Sequence, residues 1–317
     1  MIEFEQRLNA FGKVSKLPYF AIYNYLFVIA YCIRNMAVFS LQDRKSSALL
    51  LGGSRCVSEL ALRLKEKDIS FTIYIPYDDP ALFAIGNSPV VPVHMIPVSS
   101  NIVHQVSDIR IVPDFIIECQ PTPADHKVSL IQEVTEEFPQ AIVMASTVAC
   151  TATELMSYLN DSHPVIGFSC LPGHTAGAGL TEIARALQTS DQAAEAAIRF
   201  LASAGYSTEI VEDRVGLVMP RILATLMNEA AYAFMEKVAS AADIDTAMKT
   251  GTNYPYGLLE WADTIGLDTL LLILEALYHE YRQERYRPCV LLRQYCRARW
   301  LGKSTGRGFY QYASGYR

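Results

Sequence analysis

The stretch that decides the fold is Ala48–Val57, ALLLGGSRCV. Four consecutive apolar residues end at Gly52-Gly53, and a helical pattern begins directly after Ser54-Arg55. A short apolar run without alternation suits a strand buried on both faces, as in a parallel sheet. Paired glycines permit a tight turn, and the helix that follows presents unpaired N–H groups at its first turn. Strand, glycine turn and helix together make a place where a pyrophosphate can lie against the backbone.

Outward from this element the same alternation continues. Glu59–Lys67 has helical spacing, and Phe71–Ile75 is a second strand. Ile109–Val112 and Phe115–Ile117 are strand-like around Pro113. Ser129–Phe138 is an amphipathic helix; Ala141–Ala145 and Val165–Phe168 are further buried strands. Strands alternating with helices predict an α/β Rossmann-type parallel-sheet domain over residues 46–212. Beyond Glu212–Asp213 the pattern changes class. Val215–Ser240, Ile244–Met248, Leu259–Ile265, Leu267–Arg282 and Pro288–Leu301 all have helical character, which predicts an all-helical domain over 213–317.

Composition narrows the function classes. At 317 residues, two domains are expected, and 51% hydrophobic residues suit a full core. The formal charge of −6 comes with no long run of like charge, and no basic patch for nucleic acid is legible. Seven scattered cysteines without a CxxC pair predict buried thiols rather than a zinc or redox site, and no metal is expected.

Residues 1–45 form an N-terminal apolar extension. Leu17–Ile33 (LPYFAIYNYLFVIAYCI) is only as long as the shortest membrane spans and carries Asn24 and four tyrosines, so a membrane anchor is disfavoured. No convincing cleavage site follows it, and a cytoplasmic location is expected. Met36 opens MAVFSLQDRKSSALLLGG, which reads as a start just before the first strand. The alternatives are an anchor or an extra helix on the body.

Against G-x-G-x-x-G, the loop keeps Gly52 but places Ser54 and Val57 at the second and third glycine positions. Ile75 stands where an acid would hold ribose hydroxyls, and Asp78 and Asp79 fall several residues late. GGSR is similar to short-chain dehydrogenases that use NADP. Those need a Tyr-x-x-x-Lys pair, and no tyrosine here has lysine four residues on.

Three blocks in the second half carry a specific resemblance. They are Asp213–Glu229 (DRVGLVMPRILATLMNE), Asp245–Asp268 (DTAMKTGTNYPYGLLEWADTIGLD) and Gly302–Tyr312 (GKSTGRGFYQY). In order and spacing they resemble the C-terminal domain of 3-hydroxyacyl-CoA dehydrogenases, with Leu258 where proline is usual. Upstream, Glu118 and Lys127 match a glutamate and lysine near that family's cofactor, although Thr122 replaces a second glutamate.

The resemblance implies NAD-dependent oxidation of (S)-3-hydroxyacyl-CoA or the reverse reduction, in fatty acid metabolism. It implies NAD as cofactor, an acyl-CoA ligand and a homodimer through the helical domain. Apolar faces on Leu217–Met227 and Leu267–Leu277 are the expected dimer contributors. Cofactor-binding candidates are Gly52, Gly53, Ser54, Glu118 and Lys127.

At the catalytic positions the chain departs from the family. Asn-Thr-Ser-Ser becomes Ser146-Thr147-Val148-Ala149, His-Phe-Phe-Asn-Pro becomes Ser169-Cys170-Leu171-Pro172-Gly173, and a later asparagine becomes Pro220. With a one-residue insertion after Ser169, Glu182 takes the place of the acid that orients the histidine. Serine cannot act as a base near neutral pH without an activating partner. His174, in the loop LPGHTAGAG, is the one candidate substitute. The catalytic candidates are therefore Ser169, Glu182, Ser146 and His174, and weak or no turnover is expected. The rival readings are a non-catalytic acyl-CoA-binding or partner-binding homologue and a dimer scaffold without ligand.

Deleting residues 1–35 should leave the thermal midpoint of the body unchanged, since the first strand begins near Ser47. A clear fall in midpoint, or precipitation of the protein beginning at Met36, would show the extension to be structural.

Overall fold

The computed structural model describes residues 46–76, 101–159, 163–173 and 179–312. The N-terminal extension, Asp78, Asp79 and His174 lie outside these residues. The sheet is built from β1 (Ser47–Leu51), β2 (Ser70–Tyr74), β3 (Ile102–Val103), β4 (Phe115–Glu118), β5 (Ile142–Ser146), β6 (Val165–Phe168), β7 (Leu180–Arg185) and β8 (Ser207–Ile210). Their order is β3-β2-β1-β4-β5-β6-β7-β8. Strands β1 to β6 pair in parallel. Strand β7 runs antiparallel to β6, and β8 is parallel to β7. The expected sheet is thus parallel only as far as β6.

Helices α1 (Arg55–Glu66), α2 (Ala124–Glu137), α3 (Ala152–Tyr158) and α4 (Asp191–Ser203) accompany this sheet. Every residue of β1 is buried. Its side chains alternate between two cores, as the period of two requires. Ala48 and Leu50 pack with α1 and α4 through Leu60, Leu64, Ala197 and Phe200. Leu49 and Leu51 pack with α2 and α3 through Ile131, Val134 and Leu155. Covering both faces is what a central parallel strand needs.

Ile109–Val112 is not a strand. A 3-10 turn spans Val106–Asp108 and the chain then runs irregularly to Pro113. This segment is used to latch the start of β1. The Ser47 hydroxyl donates to the Val112 carbonyl (2.9 Å), and the Asp114 carboxylate accepts from the Ser47 N–H (2.8 Å).

The helical C-terminal domain comprises α5 (Met219–Met235), α6 (Ala241–Thr252), α7 (Leu258–Ile265), α8 (Leu267–Tyr281) and α9 (Val290–Arg297). Helix α5 is shorter than Val215–Ser240. Leu217 has φ 49° and Pro220 sits in the first turn; Lys237, at φ 61°, closes the other end. The faces expected to support a dimer are largely spent inside this chain. Leu223, Met227, Leu267, Leu270, Leu274 and Leu277 are buried in its own core, which leaves Val218 and Ile222 exposed.

Two buried aspartates fasten the C-terminal block to this core. Asp245 accepts from the N–H groups of Leu259 (2.8 Å) and Glu260 (2.9 Å) at the start of α7, and from the Tyr310 hydroxyl (2.7 Å). Asp263 accepts from the N–H groups of Phe309 and Tyr310 (both 3.0 Å) and from the Tyr312 hydroxyl (2.9 Å). A Cβ at Gly308 would lie 2.0 Å from an Asp263 oxygen, and one at Gly257 would lie 2.1 Å from the Asp245 carboxyl carbon. Gly257 and Gly308 are therefore required by close approach.

Burial raises the Asp263 carboxyl to about 6, against the hydrogen bonds from Tyr310 and Phe309 that lower it. In the unfolded chain it would titrate near ~3.9. Its contribution to stability is complete below the unfolded value and is lost as pH rises through about 6. Denaturant unfolding between pH 4 and pH 8 should show the wild type losing on the order of 3 kcal/mol relative to Asp263→Asn. Parallel stability curves for the two proteins would refute this.

Candidate active site

The glycine turn forms as its sequence suggests. Gly52 has φ 86°, and its N–H donates to the Tyr74 carbonyl (2.8 Å), tying the turn to the end of β2. Helix α1 then starts at Arg55, but Ser54 caps it: its hydroxyl accepts from the Val57 N–H (3.3 Å). Ile75 is buried, and His104 Nδ1 lies 2.7 Å from its carbonyl oxygen.

Glu118 and Lys127 lie together inside the protein, with Lys127 Nζ 2.8 Å from the Glu118 carboxylate. The ammonium also donates to the carbonyls of Gln120 (2.9 Å) and Ser146 (2.7 Å), so its three donors are spent. Glu118 further accepts from the Gln120 N–H. Burial weighs most on both groups and opposes charge. At Lys127 the Glu118 carboxylate outweighs it and holds the ammonium above its ordinary value. At Glu118 burial wins and the carboxyl is raised. The pair joins the ends of β4 and β5. Ser146 is fully buried; its hydroxyl and those of Thr122 and Thr147 have no hydrogen-bond partner among the described residues.

Ser169 and Glu182 meet across β6 and β7. The Ser169 N–H donates to the Glu182 carbonyl (2.9 Å), and the Glu182 N–H donates to the Ser169 hydroxyl oxygen (3.1 Å). The Glu182 carboxylate faces the start of α5, accepting from the N–H groups of Val218 (2.9 Å) and Met219 (2.8 Å). Ser169 and Glu182 thus meet, with the carboxylate at the N–H groups just before Pro220. The carboxylate, however, serves a helix N-terminus, where two orphan donors and the helix dipole favour it. Val148 and Leu171 are buried in the apolar core of the helical domain.

One network could not be read from the sequence. Arg55 Nε pairs with Glu59 (2.8 Å), an (i, i+4) spacing that was legible. Both Glu59 oxygens also accept from the Gly173 N–H (3.0 and 3.2 Å), and Arg55 Nη1 donates to the Thr264 carbonyl at the end of α7 (3.2 Å). The network ties the glycine-turn helix to the loop after Ser169 and to the helical domain. Cys56, Cys119 and Cys170 are buried beneath this region. A hydrogen bond with Cys170 and burial hold the Cys119 thiol well above its ordinary value, so it is not a nucleophile.

The residues present do not fit a dinucleotide held in the manner the resemblance implies. Ser54 takes up the Val57 N–H at the start of α1, the apolar Ile75 stands where the resemblance implies an acid for the ribose, and Lys127 has no donor left. Among the described residues no group of three or more potential metal ligands occurs.

Replacing Lys127 with Met should destabilise the protein by roughly 3–5 kcal/mol by stranding the Glu118 charge. The double variant Glu118→Gln/Lys127→Met should recover much of that loss. Equal denaturant midpoints for the single and double variants would count against an ion pair.

Comparison with known proteins places this geometry. A family model described as 3-hydroxyacyl-CoA dehydrogenase, C-terminal domain, matches residues 216–312. A probable 3-hydroxybutyryl-CoA dehydrogenase of Bacillus subtilis is 40% identical over 174 residues, which are 55% of this chain and 60% of that protein. The chain therefore spans less than two thirds of that relative. A 3-hydroxybutyryl-CoA dehydrogenase of Bradyrhizobium diazoefficiens is 36% identical over 200 residues, 63% of this chain and 68% of the relative. The crystal structure of (S)-3-hydroxybutyryl-CoA dehydrogenase from Ralstonia eutropha superposes with a TM-score of 0.64 at 26% identity, covering 86% of this chain and 100% of that one. FadB2 of Mycobacterium tuberculosis, at 24% identity and a TM-score of 0.72, shares the fold over 86% of this chain and 100% of its own. With its sheet, its helical domain and its C-terminal motifs matched in this way, the chain belongs to the 3-hydroxyacyl-CoA dehydrogenase family.

Proposed function

We propose that this chain binds acyl-CoA thioesters of the 3-hydroxyacyl or 3-oxoacyl class and turns them over with NAD very slowly or not at all. The observation that carries the reading is the pairing of the Glu182 carboxylate with the Val218 and Met219 N–H groups, beside a serine at position 169. A general base for a 3-hydroxyl must accept a proton near neutral pH, and histidine does so best when a carboxylate orients it. Ser169 stays protonated, and the nearby carboxylate already accepts the Val218 and Met219 N–H groups. The polar groups that would steady the substrate oxygen are represented by Val148, buried among apolar side chains, and by Pro220, which has no N–H to donate.

Residues 46–212 and 213–317 act in this reading as the sheet domain and the helical domain that flank the acyl cleft. A homodimer through the helical domain is part of the same proposal, with the exposed Val218 and Ile222 available to it. The Ser169 hydroxyl accepts a backbone N–H, so its proton is free to donate to a thioester or ketone carbonyl. That is a binding role, which needs no change of protonation. Among the described residues no helix is long and apolar enough to cross a membrane, and a cytoplasmic location goes with the proposal.

Loss of a general base alone costs about 10² to 10⁴ in rate. Acetoacetyl-CoA and NADH with the purified full chain should therefore give turnover at least that far below an ordinary dehydrogenase, while acetoacetyl-CoA still binds by calorimetry. Turnover of tens per second would overturn the non-catalytic reading. Absence of any thioester binding would favour a scaffold without ligand.

A further inference from the structure

Arg55 stands where its own helix gives no reason for a cation. It is the first residue of α1, the first turn holds no acidic residue, and a helix N-terminus disfavours positive charge. The guanidinium is used across the molecule instead. Nε pairs with Glu59 one turn on (2.8 Å), and Nη1 donates to the Thr264 carbonyl near the end of α7 (3.2 Å), 209 residues away in sequence. The backbone of residues 169–173 ends at the same place, with the Gly173 N–H shared between the two Glu59 oxygens (3.0 and 3.2 Å). Gly173 has φ 78°, and a Cβ there would lie 3.2 Å from both Arg55 Nη2 and Thr264 Cγ2. Three elements far apart in sequence therefore touch at one point.

The chain passes from the sheet domain to the helical domain at residues 212–218, and the Asp213 and Glu182 carboxylates fasten that passage to the starts of α3 and α5. The tie from Arg55 to Thr264 joins the same two halves through a side chain alone. Such a tie can open without any rearrangement of the chain crossing.

Charge at Glu59 decides how firmly it holds. The Glu59 side chain is largely buried, while that of Arg55 is partly exposed. The Glu59 oxygens receive one guanidinium N–H and one shared backbone N–H, fewer than the about four donors a carboxylate can accept. Burial accordingly outweighs Arg55 and the Gly173 N–H and raises the carboxyl. The other ionisable groups that face it are the Cys170 thiol, in the same segment, and the Tyr206 phenol just before β8, which burial raises further. Thiols and phenols keep their protons between pH 4 and pH 7, so Glu59 is the member of this group that changes charge there. A carboxyl that favours its proton when enclosed favours the open arrangement once it ionises.

We propose that Arg55 and Glu59 form a strap that holds the 169–173 segment and α7 against the first turns of α1, and that the strap loosens when Glu59 is charged. The segment begins at Ser169, so the state of the strap governs how that hydroxyl is presented. The strap belongs to the fold and does not depend on the acyl-CoA reading.

The test is hydrogen exchange at single amides of the full chain at pH 4.5 and pH 7.5, read by NMR and corrected for the intrinsic pH dependence of exchange. In the wild type the Gly173 N–H should be about 5-fold better protected at the lower pH, because ionised Glu59 favours local opening. Glu59→Gln keeps the shape without the charge and should hold that protection at both pH values. Arg55→Gln should lower it at both, since the tie to Thr264 is lost. The Ser169 N–H, bonded to the Glu182 carbonyl, should stay protected in all three proteins, which shows the sheet to be intact. Gly173 protection that is the same at both pH values in the wild type, or that changes equally in Glu59→Gln, would overturn the proposal. Loss of protection at Ser169 in step with Gly173 would do so too, since the change would then be global unfolding. Wild-type protection of Gly173 in Arg55→Gln would remove Arg55 from the strap and sink the idea.

Discussion

Four carboxylates, each receiving two consecutive backbone N–H groups, hold this structure together at its junctions. Asp213 binds the N–H groups of Ala152 and Thr153 (both 2.8 Å) at the start of α3. Glu182 does the same for α5 and Asp245 for α7, while Asp263 receives the returning C-terminal segment. The partners in each case are far apart in sequence. A helix start carries several unpaired donors, and burying it without acceptors is costly. A carboxylate brought from another element removes that cost and also fixes the angle at which the helix leaves the sheet. Asp213 and Glu182 act on either side of the passage from sheet to helices, so the two halves are set relative to each other by hydrogen bonds as well as by apolar packing.

That arrangement bears on chemistry. Glu182 accepts one N–H on each of its two oxygens, both from the start of α5. Nearby, Val148 and Leu171 extend the helical core toward the end of the sheet. Apolar packing there favours cohesion between the two halves over the hydration and polarity of a reacting site. The Glu118–Lys127 pair has the same character. Its charges are directed at each other and at two carbonyls, so it braces the ends of β4 and β5 rather than presenting charge to a ligand.

The Arg55–Glu59 pair differs because it links separate parts through exposed or partly exposed groups. Glu59 holds the loop at Gly173 and Arg55 holds the end of α7. Burial raises the Glu59 carboxyl, and Arg55 and the Gly173 N–H oppose that shift. The helix after the glycine turn is thereby tied to the Gly173 loop and to the end of α7.

Much of the fold was legible in the sequence because local rules governed it. ALLLGG followed by a helical pattern determined a central buried strand and its turn, and the C-terminal motifs determined the helical domain. The close approaches of Gly257 and Gly308 to Asp245 and Asp263 explain why those motifs hold glycine and aspartate at fixed spacing. That valine, serine and proline stand at positions 148, 169 and 220 was equally plain, since residue identity needs no tertiary structure. What local rules could not decide was direction and partnership. The antiparallel turn of β7, and the use of Ile109–Val112 as a latch, depend on which strand edge was left open. The burial of the Leu267–Leu277 face depends on the neighbouring helices closing around it. That the Glu182 carboxylate meets the Val218 and Met219 N–H groups could be seen only in three dimensions, because a carboxylate serves whichever donors the fold brings to it.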